Sequence, residues 1–552
     1  MATKQKMTRR DMLKVLAGST TGFLLTAGTP SQSVPSSKTA SGPGFLSAPE
    51  ANVRRGGVVR WAGHIQAPHF DLHQGALPWS LNFMYNGLVR MYMVDGRRTA
   101  VPDLAERWEV SPDGKIYTFF LRDGVKYHDG TPFTSADVEA TFKRILSPPA
   151  GLAITMTGLF EGVENVQAVD RRTVRFSLKE PRSYLLEVFA VPQCVIYSKR
   201  SLDANNQDLR KVIAPGTGPY MLKERREGEK MILARNPNYW NPDIPYIDAI
   251  ELLHLPEWTD RGTAVLTGRA DMSPNTSVEM LREAQKRSDM GWAQQPSESL
   301  YIVYYNCQRK PLNDARVRRA ISLAVSHQDL LKVFESYEGV KFSSWIPRAS
   351  DLATPPDQLE KRPGYRPGKA EDIPEAKRLM AEAGYPDGVK GMDLVCASVA
   401  SHAQVLAPAF QDQLKRTLNI ESKIRVVERG VLIEEWKAGR FDFSLFSHAL
   451  TTTLDPSPLW NVSFKTGGAQ NYPRYSNPPF DRLLEQVNRE LNASRRRQMV
   501  AQAQDLLDEN PPWFVIGWLD YNVIWRNYVK GLEVDKRLAS DLSRLDTIWL
   551  DK

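Results

Sequence analysis

The sequence predicts a large protein of the α/β class, and three observations support this prediction. The chain has 552 residues, which at about 150 residues per domain corresponds to three or four domain-sized units. Hydrophobic residues make up 42% and charged residues 25% of the chain, which excludes a disordered, collagen-like or coiled-coil protein. Strand patterns at 424–427 and 441–446 alternate with helix patterns at 403–418 and 431–437, as is typical of α/β folds.

Four further runs in the first half of the chain predict strands. Residues 57–62 (GVVRWA) and 116–121 (IYTFFL) are rich in β-branched and aromatic side chains, and so are residues 173–178 and 231–234. Short runs of this composition, bounded by turn signals such as Asp113-Gly114, are typical of β-strands.

Two segments predict helices. Thr134 and Asp137 have the spacing of a capping box at the start of an apolar pattern with helical period, and Pro148 is expected to end that helix. Residues 313–334 carry apolar side chains on one face and arginines mostly outside it, which predicts one long amphipathic helix.

The charge of the chain does not favour nucleic acid as a partner. The formal net charge is +8 and the pI is about 9.1, but residues 1–40 hold six basic residues and one acidic residue, so the remainder carries only +3. The three cysteines, Cys194, Cys307 and Cys396, are far apart in the sequence, which excludes the cysteine spacing of zinc sites and permits at most one disulfide.

The N-terminal segment predicts export. Adjacent Arg9 and Arg10 precede a weakly apolar stretch at 15–28 and a Pro/Ser-rich run to Gly44, an order typical of signal peptides. The arginine pair resembles the twin-arginine class, so we assign residues 1–40 to a twin-arginine signal peptide and linker. The alternative is a basic amphipathic helix or a disordered tail.

The same segment indicates where the mature protein acts. Its apolar stretch is shorter than the roughly 20 residues that span a membrane, and no cysteine follows it to carry a lipid anchor. We therefore expect a soluble periplasmic protein, with Ala27 or Ala40 as candidate ends of the signal.

Several ordered motifs resemble one known family. In chain order these motifs are VPDLAERW at 101–108, SPDG at 111–114, LRDGVKYHDG at 121–130, GTGPY at 216–220, RNPNYW at 235–240, DARVRRA at 314–320, AGYPDG at 383–388 and LDP at 454–456. Together they make the chain similar to the family 5 solute-binding proteins of bacterial ABC importers, which include dipeptide, oligopeptide, nickel-complex and some oligosaccharide binders.

This resemblance implies the α/β two-lobed periplasmic-binding-protein fold of class II type, with an extra subdomain inserted in lobe one. The expected boundaries are 57–88, 206–297 and 512–552 for lobe one, 89–205 for the inserted subdomain and 298–511 for lobe two. The lobes would close on a ligand between them. The implied partners are the small-molecule ligand and the ABC permease and ATPase complex at the inner membrane, with the binding protein itself a monomer.

The first candidate ligand region is the loop after the opening strand, which begins at His64. His69 and His73 lie four residues apart with Asp71 between them, a pattern that could hold a divalent metal on a helical turn. Pro68 argues against such a turn, so ordinary polar loop histidines are favoured and no metal is predicted, with His64 kept as a ligand candidate by analogy.

The second candidate region is the strand 301–306, where side chains alternate between two faces. One face is expected to be core and the other to line the cleft, and the sequence leaves open which. Tyr304 and Asn306 are the ligand candidates on this strand.

The third candidate region runs from His448 to Trp460 and includes Thr452 and Asp455. In peptide-binding members of the family, an Asp three residues before the acidic-Pro pair grips the α-ammonium of the ligand. That position is Thr452 here, and a neutral hydroxyl cannot offset a buried ammonium. A hydroxyl-bearing ligand such as an oligosaccharide or an opine-like molecule is therefore favoured over a peptide, although the threonines could simply form a β-prone loop.

The sequence does not predict an enzyme or a cofactor. The chain lacks G-x-S-x-G, P-loop, HExxH and strand-linked G-x-G-x-x-G motifs. A periplasmic ligand sensor or a nickel-chelate binder with the same fold remains an open alternative.

Overall fold

The computed structural model describes residues 52–64, 69–75, 81–94, 97–334, 339–398, 401–448, 453–534 and 545–552. The predicted signal peptide and linker, residues 1–40, lie outside these ranges. Every helix within the described ranges is too short or too polar to cross a membrane.

Strands occur along the whole described chain. In chain order they are β1 (Val58–Gly63), β2 (Val89–Val94), β3 (Arg97–Pro102), β4 (Ala105–Val110), β5 (Ile116–Leu121), β6 (Val163–Asp170), β7 (Thr173–Leu178), β8 (Tyr220–Arg226), β9 (Lys230–Arg235), β10 (Ala249–His254), β11 (Met272–Thr276), β12 (Met290–Tyr305), β13 (Gly339–Lys341), β14 (Val389–Ala397), β15 (Ile420–Val427), β16 (Phe443–His448), β17 (Trp513–Arg526), β18 (Val529–Lys530) and β19 (Trp549–Leu550).

Helices separate these strands. In chain order they are α1 (Ser135–Leu146), α2 (Leu185–Phe189), α3 (Lys199–Ala204), α4 (Trp258–Leu266), α5 (Val278–Gln285), α6 (Ala315–Ala324), α7 (His327–Phe334), α8 (Pro356–Leu359), α9 (Asp372–Glu382), α10 (Ala407–Leu418), α11 (Arg429–Ala438), α12 (Pro456–Ser463), α13 (Pro478–Arg489) and α14 (Ala493–Glu509).

An eleven-stranded sheet connects the two lobes. Its strands follow the order β15-β14-β16-β12-β17-β11-β1-β10-β9-β8, with β13 paired to β17. The long strands β12 and β17, of 16 and 14 residues, pair antiparallel and stand between the two parts of the sheet. The result is the two-lobed α/β architecture that the sequence predicts, and the expected limits of lobe two, 298 and 511, fall within β12 and just before β17.

The predicted strands of the first half are confirmed. Strands β5 and β7 have the predicted bounds, β1 begins one residue later than predicted, and β9 contains the predicted run 231–234. Strand β1 pairs in parallel with β10 and β11, and its Trp61 is buried in the core of the first lobe. Strand β5 follows the predicted Asp113-Gly114 turn, in which the Gly114 N–H donates to the Ser111 carbonyl at 2.8 Å.

The capping box at Thr134 is also confirmed. The Thr134 backbone N–H donates to the Asp137 carboxylate at 2.8 Å, and the Thr134 side chain receives the reciprocal backbone hydrogen bond. Helix α1 ends at Leu146, two residues before Pro148. The reciprocal bonds satisfy N–H groups that the first helical turn would otherwise leave unpaired.

The prediction of one helix over 313–334 is wrong, because the structure has two helices, α6 and α7. Val325 between them is extended, with φ −78° and ψ 128°. The amide group of Gln413 exchanges two hydrogen bonds with the backbone of Ser326, at 2.6 and 3.3 Å, and the Ser326 hydroxyl accepts the Asp329 N–H. Helix α6 therefore ends at Ala324, and Ser326 caps the start of α7.

The region predicted as an insert, 89–205, contains a sheet of its own. Strands β4, β5, β7 and β6 form an antiparallel sheet in that order, and helix α1 packs on it. The core is aromatic: Phe119, Phe142, Phe176 and Phe189 form a cluster with ring centroids 4.8–5.7 Å apart. Val462 of the second lobe completes this core.

A buried charged cluster ties the loop after β1 to helix α1. Arg144 on α1 forms an ion pair with Asp71, and both side chains are almost completely buried. Arg144 also donates to His73 Nδ1 at 2.7 Å, and His73 Nε2 donates to the Val195 carbonyl at 3.0 Å. Both ring nitrogens of His73 are thus engaged, and the described residues contain no group of three potential metal ligands.

This environment makes His73 neutral in the native state. Burial, reinforced by the Arg144 charge, lowers the pKa of His73 to about 4. The unfolded chain takes up this proton near the ordinary pKa of about 6.5. The contribution of His73 to stability is therefore lost as the pH falls from about 6.5 towards 4.

We predict that Arg144→Ala lowers the free energy of unfolding by about 3–5 kcal/mol, because it leaves the buried Asp71 carboxylate without its charged partner. The matched control is Lys143→Ala on the same helix, whose partner Glu139 forms an exposed pair at 2.7 Å. That change is expected to cost less than about 1 kcal/mol. Urea unfolding followed by tryptophan fluorescence measures both, and equal losses for the two variants would contradict a structural role for the buried cluster.

Candidate functional site

Two histidines lie side by side at one edge of the sheet in the first lobe. His64 directly follows β1, and His254 ends the parallel neighbour β10 in register with Gly63. Their ring centroids are 5.2 Å apart. Ligand sites in α/β proteins commonly lie at the carboxyl ends of parallel strands, so this edge is a candidate wall of the cleft.

Arg261 lies close to this histidine pair and contributes to its charge state. Its guanidinium donates to the carbonyls of Leu255 and Pro256 at 2.7 and 2.6 Å, which holds the chain just after β10. Burial lowers the pKa of His64 and His254 below the ordinary value, and the Arg261 charge lowers both further. The two imidazoles are therefore neutral at neutral pH.

On the second lobe, the structure describes the candidate region only in part. The backbone of His448 ends β16 opposite Leu300, while the His448 side chain and Thr452 lie outside the described part of the chain. The argument from Thr452 therefore rests on the sequence alone.

Asp455 is described fully, and its carboxylate is already engaged. It pairs with both terminal nitrogens of Arg496, at 2.7 and 2.8 Å, and accepts the Ser457 N–H at 2.9 Å as the N-cap of α12. Arg496 also donates to the Ser457 hydroxyl at 2.7 Å. This bidentate pair neutralises the Asp455 charge and stabilises the start of the helix.

The strand 301–306 is buried on both faces. Alternate side chains from Leu300 to Tyr305 belong to two separate hydrophobic clusters, one on each side of the sheet. The expectation of one core face and one cleft face did not allow for helices covering both sides of the sheet in this lobe. Tyr304 is fully buried between Trp436 and Trp513, with centroids 5.2 and 5.1 Å away.

Asn306 and Trp460 also make internal contacts. The Asn306 amide donates to the carbonyls of Gly439 and Phe441 at 3.1 and 2.9 Å. Trp460 is buried in the second-lobe core with its ring edge towards Phe480. A direct contact of Tyr304, Asn306 or Trp460 with ligand remains a prediction.

A charged group that the sequence did not reveal joins the insert to the second lobe. Glu187 on α2 accepts the backbone N–H groups of Leu454 and Asp455 at 2.6 and 3.2 Å. Arg98 lies between Glu187, at 3.3 Å, and Glu298 of β12, at 3.8 Å. Burial raises the pKa of Glu187 to about 7, although Arg98 opposes this shift. No sequence motif connects these residues, which come together only in the fold.

Comparison with known families identifies a match over most of the chain. The profile of the bacterial extracellular solute-binding proteins, family 5, matches residues 99–471. The dipeptide-binding protein DppE of Bacillus subtilis is 25% identical over 492 residues, which are 86% of this chain and 87% of DppE.

Solved structures share the fold. The periplasmic binding protein DppA of Helicobacter pylori, in complex with the peptide STSA, has a TM-score of 0.76 at 23% identity and covers 90% of this chain and 99% of its own. The binding protein AgaA of A. tumefaciens R10, in complex with agropinic acid, also has a TM-score of 0.76, at 22% identity over 90% of this chain and 99% of AgaA.

Proposed function

The chain belongs to the bacterial extracellular solute-binding proteins of family 5, and on this basis we propose that it captures a polar, hydroxyl-bearing small molecule between its lobes. A member of this family is the solute-binding component of an ABC importer and not an enzyme. We further propose that it works as a periplasmic monomer that delivers its ligand to the permease and ATPase complex.

The observation that carries the ligand class is the state of Asp455. Its carboxylate is held by Arg496 and caps α12, so it offers no uncompensated charge to a ligand ammonium. The neighbouring family position for ammonium recognition is Thr452, which brings only a hydroxyl. Burying an ammonium without an anionic partner costs far more than burying a hydroxyl that is hydrogen-bonded.

The related structures are consistent with either ligand class. The same fold holds a peptide in DppA and agropinic acid in AgaA. Specificity therefore depends on individual side chains and not on the fold. The presence of Thr452 where peptide-binding members of the family have an Asp therefore bears directly on the ligand class.

A second candidate ligand is a metal chelate, favoured by the histidine pair of the first lobe. Neutral imidazoles are good metal ligands, and both His64 and His254 are neutral at neutral pH. Two histidines do not fill a coordination sphere, so the chelating molecule would supply the remaining donor atoms.

We predict that oligosaccharides or opines, and not simple peptides, stabilise the purified protein. Ligand at 100 times its Kd should raise the free energy of unfolding by about 2.7 kcal/mol. Thermal-shift measurements with oligosaccharides, opines, di- and tripeptides and a nickel–histidine complex compare the candidates directly. Stabilisation by the nickel complex that is lost in His64→Ala would favour the second candidate.

The matched variants for this screen are Thr452→Asp and Thr451→Asp. An acid at 452 is expected to create stabilisation by peptides because it provides the missing charge for the α-ammonium, whereas an acid at 451 is not. Stabilisation of the unchanged protein by di- or tripeptides alone would contradict the proposed ligand class.

The proposed export route gives a separate prediction. Replacement of Arg9 and Arg10 by lysine should retain the protein in the cytoplasm, because the twin-arginine motif is the feature that assigns the route. Cell fractionation and immunoblotting measure the distribution. Full recovery of the variant in the periplasm would contradict export by this route.

A further inference from the structure

The predicted insert and the second lobe are joined by several polar contacts. Lys465 pairs with Glu161 of the insert at 3.0 Å and with Glu485 at 2.8 Å. Glu485 in turn lies 3.6 Å from Arg182 of the insert. The Ser183 N–H donates to the Asn488 carbonyl at 2.9 Å. The insert therefore contacts the second lobe directly, beyond its covalent link to the first.

Glu187 differs from these contacts because its side chain binds two backbone groups of the second lobe. Its Oε1 accepts the N–H of Leu454 and its Oε2 accepts the N–H of Asp455. Both oxygens of one carboxylate thus fix two consecutive peptide groups just before α12. A carboxylate that accepts two N–H groups makes stronger bonds than a neutral acceptor.

The surroundings of Glu187 hold it in this position. Arg98 of β3 approaches it from the insert, and Arg98 also faces Glu298 of β12. On the second-lobe side, Asp455 lies close enough to raise the pKa of Glu187, and Asp455 is itself paired with Arg496. The side chains of Arg98 and Glu298 are less than a tenth exposed, so solvent does little to screen these interactions.

We propose that Glu187 is a positioning residue, which ties the turn at Leu454 and Asp455 to the insert and so fixes the position of the second-lobe chain from Thr453 onwards. The inference rests on the proposed capture of ligand between the lobes. It assigns to the insert a part in ligand recognition without direct contact with the ligand. Loss of the two Glu187 hydrogen bonds is expected to free the turn while the other contacts between the insert and the second lobe stay in place.

The test is hydrogen exchange at the Leu454 and Asp455 amides, measured with residue resolution on the full-length mature protein without ligand at about pH 8, above the pKa of about 7 of Glu187. Glu187→Ala is expected to accelerate both amides by about tenfold or more, because each loses an acceptor that is a charged group. Glu485→Ala removes ion pairs of the same interface that do not contact the turn, and is expected to leave both amides unchanged.

Glu187→Gln provides the conservative comparison. Its side chain has one acceptor oxygen and one amide nitrogen, so one of the two N–H groups keeps its acceptor and the other is expected to accelerate. This variant also replaces Glu187→Ala if the alanine form does not fold.

Unchanged exchange in the Glu187 variants would overturn the proposal, and so would equal acceleration in Glu485→Ala, since that would indicate general loosening of the interface. A different ligand class would not alter these results, because no ligand is present. Failure of the ligand proposal and failure of this one are therefore distinguishable.

Discussion

The pairing of the two long strands β12 and β17 is the constraint on which the rest of the structure depends. Their antiparallel ladder connects the two parts of the sheet, so that each lobe builds its core on strands it shares with the other. The register of the ladder shifts between Pro296 and Leu300 and again at Tyr301 and Ile302. Such irregularities interrupt the hydrogen bonds and bend strands locally, and they lie where the sequence places the boundary between lobes.

The insert adds a second connection between the lobes. Its aromatic core includes Val462 of the second lobe, and Glu187 binds the turn before α12. If the second lobe moves about β12 and β17, either these contacts break or the insert moves together with the second lobe. The proposed closure of the cleft would therefore balance ligand contacts against bending of the shared strands and the interface of the insert.

Elements defined by local sequence could be predicted, and sites defined by distant contacts could not. The capping box at Thr134 and strands β5 and β7 involve neighbouring residues, and their bounds follow from the sequence. The break at Val325 depends on Gln413, about ninety residues away, and no local pattern reveals it. For the strand 301–306, alternation predicts one core face and one cleft face, but helices of the second lobe cover both faces. The contacts of Glu187, Arg98 and Glu298 likewise exist only in the folded chain.

The central claim is that two lobes joined through β12 and β17 close around a small polar ligand. Small-angle scattering of the mature protein, alone and saturated with a ligand that stabilises it, tests this claim most directly. We expect the radius of gyration to decrease on saturation, because a ligand that contacts both lobes favours the closed arrangement. An unchanged radius of gyration at saturation would contradict the account.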